Sequence, residues 1–210
     1  MNQIELDVPT LILIAGIGGS GKTTLSRELV KHIKDAYYMD KDIINDAFLL
    51  TSNESDKGIK IYALSGPQLP RDEHYNRYVR LQSYRLMLEL AKVNLEAGKH
   101  PILDGNYTKD IRQGYLNEIV EPFFDGVSYR RKLVFCYARE DTIKERLRQR
   151  KLLQRDFDKL KSEEAWRRFL DEQPILPPEL TRHYHIKVDT EQSLESNIRN
   201  VLAYISTRDE

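Results

Sequence analysis

The sequence predicts an α/β fold in three layers, in which a five-stranded parallel sheet lies between two layers of helices. Short apolar runs alternate with longer amphipathic stretches, which is the order of repeated strand–helix–strand units. The first run, Thr10–Ala15, is apolar without alternation, as expected for a strand that helices cover on both faces. A glycine-rich turn joins this run to the first amphipathic stretch.

The composition is that of one ordinary globular domain, and no repeat or linker divides residues 1–210. The chain has 33 Lys and Arg residues against 33 Asp and Glu residues, and 40% of it is hydrophobic. A disordered chain would be less apolar or further from neutrality, and a disulfide scaffold would need more than one cysteine. Because the net charge of +0 offers phosphate no overall attraction, the composition does not favour nucleic acid as a partner.

The N-terminal residues lack the basic and apolar segments of a signal peptide. The longest strongly apolar stretch, residues 11–15, is far too short to cross a bilayer. The single cysteine, Cys136, lies in an apolar run and is expected to be buried. We therefore expect a cytoplasmic protein without membrane contact.

The first two strands are predicted at Thr10–Ala15 and Ala36–Asp40. A helix starts near Lys22 and continues to about residue 33 because its apolar residues share one stripe: Leu25, Leu29, Val30 and Ile33. A second helix follows Asp40, and its predicted apolar face consists of Ile43, Ile44, Ala47 and Phe48. Residues 51–74 have no periodicity, so we predict an exposed loop that forms a lid or a substrate collar.

A long helix is predicted over residues 75–97 and ends at Gly98. Its apolar spacing is set by Tyr78, Leu81, Tyr84, Leu88, Ala91 and Leu95. Strand three follows at 101–104, and the next helix is expected to break at Glu121 and Pro122. Strand four is predicted at 132–137.

The last third of the chain begins with a very basic helix over residues 141–154. Helical character resumes at 162–171, and three prolines then force a loop. Strand five is predicted at 184–188 and a closing helix at 193–206. His183 and His185 flank Tyr184, and we assign them a structural role because no further metal-ligating side chain lies nearby at suitable spacing.

Residues 16–23 read Gly-Ile-Gly-Gly-Ser-Gly-Lys-Thr and match the pattern G-x-x-x-x-G-K-[ST] at every specified position. Glycines let successive N–H groups point into one concavity, and the helix that follows adds a partial positive charge. We expect Lys22 to neutralise the β and γ phosphates of a nucleotide and the Thr23 hydroxyl to ligate Mg²⁺. The predicted nucleotide-binding residues are Gly16, Gly18, Gly19, Ser20, Gly21, Lys22, Thr23 and Thr24.

A phosphate-binding loop does not by itself distinguish a kinase from a GTPase or another ATPase. The Asn/Thr-Lys-x-Asp pattern with which switch GTPases read guanine is absent from the sequence. Three further segments accompany the loop: Asp40-Lys41-Asp42, Leu103-Asp104-Gly105-Asn106, and the arginines Arg139, Arg146 and Arg150.

Together with the loop, these segments resemble the small P-loop kinases of the AAA-33 type, which include zeta toxins, chloramphenicol phosphotransferase, gluconate kinase and the kinase domain of polynucleotide kinase. The resemblance covers most of the chain. It implies a P-loop NTPase fold with the strand order 2-3-1-4-5. It also implies a mobile LID, placed at about residues 146–172, and phosphoryl transfer from ATP to a hydroxyl.

In such kinases an Asp just after strand two accepts the proton of the attacking hydroxyl. Asp42 matches that position best, with Asp40 as the alternative, and both are predicted to contact the substrate. The competing interpretation of Asp42 is an N-cap of the helix, which one residue can combine with catalysis. Related enzymes often have Arg where this sequence has Asn45, which puts the usual anion contact there in doubt.

Asp104 ends a predicted central strand, where α/β sheets bind their ligands. It is the predicted Walker B residue, which would hold Mg²⁺ through water, and a role in substrate binding together with Asn106 is the alternative. In the basic helix, Arg146 and Arg150 (or Arg155) are the predicted catalytic LID arginines, which would offset charge on the transferred group. The alternatives for this helix are a solvated face paired with its own acidic residues, or a strip that follows a polynucleotide backbone.

We therefore expect an ATP- and Mg²⁺-dependent kinase that acts on a hydroxyl of a small molecule. Residues 51–80 and 105–118 would shape the acceptor pocket, with Tyr62, Arg71, Tyr75 and Tyr78 as possible lining residues. The resemblance implies that the loop after Val188 touches the adenine, and Trp166 would either stack on the base or pack. The alternatives are a polynucleotide 5′-hydroxyl kinase and a nucleotide-dependent regulatory module without an acceptor; a monomer and a homodimer both fit the sequence.

Overall fold

The computed structural model describes residues 3–50, 79–149 and 158–207. The strands are β1 (Thr10–Ala15), β2 (Ala36–Asp40), β3 (His100–Asp104), β4 (Arg130–Tyr137) and β5 (His185–Asp189). The helices are α1 (Lys22–Leu29), α2 (Lys41–Leu50), α3 (Arg80–Glu96), α4 (Thr108–Arg112), α5 (Glu121–Phe123), α6 (Glu140–Gln149), α7 (Glu163–Glu172) and α8 (Leu194–Ser206). Short 3₁₀ segments at Val30–His32 and Pro178–Arg182 and a π-helical turn at Leu116–Val120 complete the described elements.

The five strands form one parallel sheet in the order β2-β3-β1-β4-β5, which confirms the predicted fold class and strand order. β1 lies at the centre and pairs with β3 on one side and β4 on the other. Because all strands run in one direction, their carboxyl ends share one edge of the sheet. At that edge Asp40 and Asp104, the last residues of β2 and β3, are register partners.

Each face of the sheet has its own hydrophobic core. Leu11, Leu13 and Ala15 of β1 pack with α3 on one face, whereas Ile12 and Ile14 pack with α1 and α8 on the other. All six residues of β1 are buried, which explains why its apolar run does not alternate. The second core also contains Cys136, which is fully buried as predicted, and burial raises the pKa of its thiol to about 12.

The predicted packing face of α2 is confirmed for Ile44, which packs against the first core, but is wrong for Ile43 and Ala47. Ile43 is 57% exposed and Ala47 is exposed, whereas Lys41 and Asn45, one turn apart, are buried. The Lys41 ammonium lies 4.4 Å from the centre of the Tyr84 ring, a cation–π contact that lets this charged side chain take the inner position. Apolar periodicity could not find this arrangement because the inner side chains are polar.

Three smaller differences concern the division of one helix, the burial of one residue and the start of one strand. The predicted helix after β3 is divided into α4, the π-helical turn and α5, and Pro122 lies in the first turn of α5 instead of ending a helix. Leu81, predicted on the buried stripe of α3, is 63% exposed. Strand five begins at His185 instead of Tyr184. The predicted loop 51–74 and the acceptor residues Tyr62, Arg71, Tyr75 and Tyr78 lie outside the described residues.

Candidate functional site

The glycine-rich loop lies between β1 and α1 and is packed too closely for side chains at two of its positions. Gly16 has a φ of 135°, and a Cβ atom there would lie 2.3 Å from the carbonyl oxygen of Cys136 on β4. Gly21 has a φ of 84° and precedes the first residue of α1, and its Cβ would lie 2.9 Å from Thr190. Glycine is therefore required at both positions because the chain passes in a left-handed conformation against neighbouring backbone or side-chain atoms.

The remaining loop residues lie where the sequence pattern predicts. Gly18 and Gly19 approach the inner side of α6, where a Cβ on Gly19 would come within 3.0 Å of Ile143. Ser20 is fully buried, and Thr24 is exposed at the start of α1. The Lys22 ammonium donates to the Ile17 carbonyl oxygen at 3.0 Å, which holds the side chain over the loop.

Asp104 ends β3 directly opposite the start of α1 and is only 3% exposed. Burial raises the pKa of this carboxyl, and the nearby Asp40 carboxylate raises it further; the Lys22 charge and a hydrogen bond with the Thr23 side chain act in the opposite direction. Thr23 and Asp104 thus bring a hydroxyl and a carboxylate oxygen together beside the phosphate loop. Both are hard oxygen donors of the kind that Mg²⁺ prefers, so these residues fit a magnesium ion.

A tyrosine joins the two strand-end carboxylates. The Tyr38 hydroxyl lies 2.9 Å from Asp40 Oδ2 and 3.1 Å from Asp104 Oδ2. On the solvent side, the Arg27 guanidinium of α1 lies 4.0 Å from Asp40 Oδ2. Burial and the two carboxylates raise the pKa of Tyr38 far above its usual value, so this hydroxyl stays protonated.

Asp40, and not Asp42, caps α2. The backbone N–H of Asp42 donates to Asp40 Oδ1 at 2.9 Å, the contact of an N-cap side chain with the second residue of a helix. Asp42 itself is exposed in the first turn of α2, at the carboxyl edge of the sheet. The competing interpretation that Asp42 is the N-cap is therefore wrong, and Asp40 is the N-cap of α2.

A cleft of about 370 Å³ lies beside the phosphate loop. Its walls come from the loop and α1, from α6, and from the segment after β5: Gly19, Gly21, Thr24, Leu25, Arg146, Gln149, Thr190, Gln192, Leu194 and Asn197. Arg146 lines the cleft and donates to the Thr190 hydroxyl at 2.8 Å, to the Thr190 carbonyl at 2.9 Å and to the Gly19 carbonyl at 3.3 Å. The segment after Val188, which we expected to touch adenine, thus lies in this cleft.

Glu191 connects the segment after β5 to the start of α6 through hydrogen bonds. Its carboxylate accepts from the Thr142 hydroxyl at 2.6 Å and from the Arg139 backbone N–H at 3.0 Å, and it pairs with the Arg139 guanidinium at 3.0 Å. These bonds lower the pKa of Glu191 to about 2, with the Thr142 hydroxyl as the largest cause. Hydrogen bonds of Glu191 therefore connect the segment after β5, which lines the cleft, to the start of α6.

Asn106 lies on the opposite side of the site and contacts the chain just after α7. Its amide donates to Gln173 Oε1 at 2.5 Å. Arg112 of α4 reaches the same region and donates to the carbonyl oxygens of Asp171 at 2.7 Å and of Glu172 at 3.0 Å, the last turn of α7. The end of α7 is thus bonded to the segment that follows β3.

Trp166 of α7 is 1% exposed and packs with Ile17 of the phosphate loop and Leu147 of α6. The structure therefore favours its interpretation as a packing residue over stacking on the base. Of the predicted LID arginines, Arg146 lies in the cleft, whereas Arg150 and Arg155 are outside the described residues.

The structure adds three residues that the sequence analysis missed, namely Arg27, Tyr38 and Glu191. The sequence positions of two of them could have indicated their place near the site. Tyr38 precedes Asp40 by two residues on a strand and therefore shares its face, and Arg27 follows Thr23 by one helical turn. Nothing in the sequence pointed to Glu191, because its partners are far away in the chain. Thr142 is 49 residues away and Arg139 is 52 residues away.

None of the helices in the described residues has the length and apolar composition that a membrane-spanning helix needs. A comparison with proteins of curated function found no match for the chain. A family model described as an AAA domain, AAA_33, matches residues 11–173.

Solved structures share the fold over nearly the whole chain. A protein from Chloroflexus aurantiacus, provisionally described as a kinase, has a TM-score of 0.66 at 18% identity, with 94% of this chain and 99% of that chain covered. Shikimate kinase from Bacteroides thetaiotaomicron has a TM-score of 0.58 at 16% identity, with coverage of 94% and 99%. The APS kinase CysC from Mycobacterium tuberculosis, in complex with AMPPNP and APS, has a TM-score of 0.57 at 14% identity, with coverage of 95% and 99%.

Proposed function

The chain belongs to the AAA_33 family of AAA domains, and from this premise we propose that it is a kinase that transfers the γ-phosphoryl group of ATP to a hydroxyl of a small molecule. One observation carries the proposal. The phosphate loop, with Lys22 and Thr23, lies beside the strand-end residue Asp104, and the exposed Asp42 follows the neighbouring strand at the same edge. A nucleotide-binding module without an acceptor has no use for an exposed carboxylate at that position.

In the proposed reaction, backbone N–H groups of residues 16–24 and the Lys22 ammonium bind the phosphates. Thr23 and Asp104 are the residues that would hold Mg²⁺. When bound, the ion would neutralise charge on the phosphate oxygens. No covalent intermediate with the protein is needed, because positioning and charge stabilisation supply most of the catalysis in phosphoryl transfer.

Asp42 is the proposed general base. Its carboxylate would orient the acceptor hydroxyl and take its proton while the new oxygen–phosphorus bond forms. The bond between the γ-phosphorus and the bridging oxygen breaks at the same time, and that oxygen leaves with ADP. Asp40 supports this step indirectly, since its bond to the Asp42 N–H fixes the first turn of α2.

The base of ATP is assigned to the cleft that Arg146 lines. The Arg146 guanidinium already donates hydrogen bonds to Thr190 and Gly19. These bonds favour a role for Arg146 in the wall of the base cleft over a contact with the transferred phosphoryl group. The proposed LID covers about residues 146–172, within a single domain of 1–210. Asn106, bonded to Gln173 at the end of this segment, is the proposed link between the acceptor side and the LID. A cytoplasmic location remains a prediction.

The first experiment measures ATP consumption by the purified protein with a panel of acceptors: nucleosides, sugars, hydroxylated antibiotics including aminoglycosides, UDP-sugars and 5′-hydroxyl oligonucleotides. We expect one small-molecule class to stimulate turnover, and Lys22→Ala to abolish the stimulation. Stimulation by oligonucleotides alone, weakened by salt, would instead identify a polynucleotide kinase.

Asp42→Asn then separates a kinase from a regulatory module. We expect acceptor-dependent turnover to fall by about 10²- to 10⁴-fold, the usual contribution of a general base, with ATP affinity unchanged. Glu195→Gln, at an acidic residue in the first turn of α8, is the matched control and should have no effect. If no acceptor stimulated the wild type and Asp42→Asn left ATP turnover unchanged, the chain would be a regulatory nucleotide-binding module. Unchanged acceptor-dependent turnover would instead assign the role of base to Asp40.

A further inference from the structure

Tyr38 lies between two carboxylates and has a single proton to donate. Its hydroxyl is 2.9 Å from Asp40 Oδ2 and 3.1 Å from Asp104 Oδ2, so both oxygens are within hydrogen-bond distance of the same group. A phenol donates one hydrogen bond at a time. The two carboxylates therefore share one donor.

The need for such a donor follows from the register of the sheet. Asp40 and Asp104 are direct partners at the ends of neighbouring parallel strands, which lie about 4.8 Å apart. Asp104 is only 3% exposed, so water screens their mutual repulsion poorly. A positively polarised group between them lowers the cost of keeping both carboxylates side by side.

The two carboxylates differ in their other contacts. Asp40 Oδ1 accepts from the α2 backbone, and Arg27 lies 4.0 Å from Oδ2, so Asp40 is held by the protein on both oxygens. Asp104 has the Thr23 side chain and the Lys22 charge as neighbours, on the side where the phosphate loop ends. Asp104 is thus the carboxylate that can exchange partners, and Asp40 is the one that cannot.

We propose that Tyr38 is a positioning residue that competes with the divalent cation for Asp104: its hydroxyl is shared by the two carboxylates when no cation is bound and belongs to Asp40 alone once a cation takes Asp104. This inference rests on the proposed metal-binding role of Thr23 and Asp104. Tyr38 makes the site stable without metal and at the same time weakens metal binding. A purely structural hydroxyl would instead strengthen metal binding, because it would hold Asp104 in place.

The two roles predict opposite changes in metal affinity for Tyr38→Phe, a substitution that removes only the hydroxyl. We expect Mn²⁺, measured by its electron paramagnetic resonance signal in the nucleotide-free protein, to bind about threefold to tenfold tighter than to wild type. Without divalent ions, the unfolding temperature should fall by about 2–4 °C. Tyr37→Phe is the matched control, because the neighbouring Tyr37 hydroxyl donates to the Leu90 carbonyl at 3.1 Å, away from both carboxylates. Its Mn²⁺ affinity should equal that of wild type.

A second variant covers the case in which Tyr38→Phe does not fold. Genetically encoded 3-fluorotyrosine at position 38 keeps the shape of the side chain but makes its hydroxyl a stronger donor. Competition predicts weaker Mn²⁺ binding for this variant, the opposite direction from Phe. Equal or tighter binding by the fluorinated protein, or equal or weaker binding by a folded Tyr38→Phe protein, would overturn the proposal.

Asp104→Asn separates failure of this inference from failure of the proposed function. If wild type binds Mn²⁺ and Asp104→Asn abolishes that binding, the metal site is supported and the Tyr38 variants decide the competition alone. If the wild type binds no Mn²⁺, or if Asp104→Asn binds Mn²⁺ like wild type, the assigned metal site is wrong, and the proposal about Tyr38 fails with it.

Discussion

The phosphate loop and the neighbouring base cleft are built in different ways. At two positions the main chain of the loop leaves no room for a side chain, namely Gly16 against Cys136 and Gly21 against Thr190. The cleft is made of side chains that bond across loops, above all Arg146 to Thr190 and Glu191 to Thr142. We therefore expect one added methyl group in the phosphate loop to abolish nucleotide binding. In the cleft, we expect the loss of single hydrogen bonds to weaken binding gradually.

The largest effect expected from this difference is that of Gly16→Ala. The added methyl group would lie 2.3 Å from a backbone oxygen that cannot move without shifting β4, and a φ of 135° strains any L side chain. We expect the free energy of unfolding, measured with urea, to fall by about 3 kcal/mol or more, with loss of ATP binding. Gly98→Ala is the matched control.

Gly98 also has a positive φ, 78°, but nothing lies within 4 Å of its Cβ position. The control should therefore lose only the conformational term, about 1–2 kcal/mol, and keep ATP binding. Equal losses in the two variants would show that close packing at Gly16 contributes nothing beyond its backbone conformation.

An intermediate effect is expected for Arg146→Ala, which tests the cleft. Removal of the three hydrogen bonds to Thr190 and Gly19 should raise the KM for ATP about tenfold, with kcat changed by less than about threefold. Arg148→Ala, at an exposed residue of the same helix, should leave both constants unchanged. A fall in kcat by about 10²-fold or more would instead support the catalytic LID role predicted from the sequence.

The smallest effect concerns Glu191 and depends on pH. Because its pKa in the folded protein is lowered to about 2 from 4.5, the ionised carboxylate stabilises the fold above pH 4.5, and this contribution is lost as pH falls towards 2. The unfolding temperature of wild type should exceed that of Glu191→Gln by a constant amount from pH 7 to 5. The difference should shrink between pH 4.5 and 3; a difference that stays constant down to pH 3 would contradict the role assigned to the charge.

The same contrast explains what the sequence could predict. The loop obeys a contiguous pattern whose spacing is dictated by phosphate geometry, so all its residues could be named, and the apolar runs gave the strands to within about two residues. Arg146 could be named only as one of several arginines, and its contact with Thr190 depends on how two distant loops fold. The predicted buried face of α2 was only partly right, because Lys41 takes an inner position through its contact with the Tyr84 ring while Ile43 and Ala47 are exposed.

The central place of β1 in the sheet also bears on the order in which the molecule can fold. The strand that leads into the phosphate loop acquires its neighbours only from β3 and β4, and Arg146 reaches Gly19 across a sequence separation of 127 residues. Closing such long loops costs conformational entropy that only the finished contacts offset, so we expect these contacts to form late in folding. We therefore expect the loop to become a binding site only after β3 and β4 have paired with β1, so that nucleotide affinity indicates whether the sheet is complete.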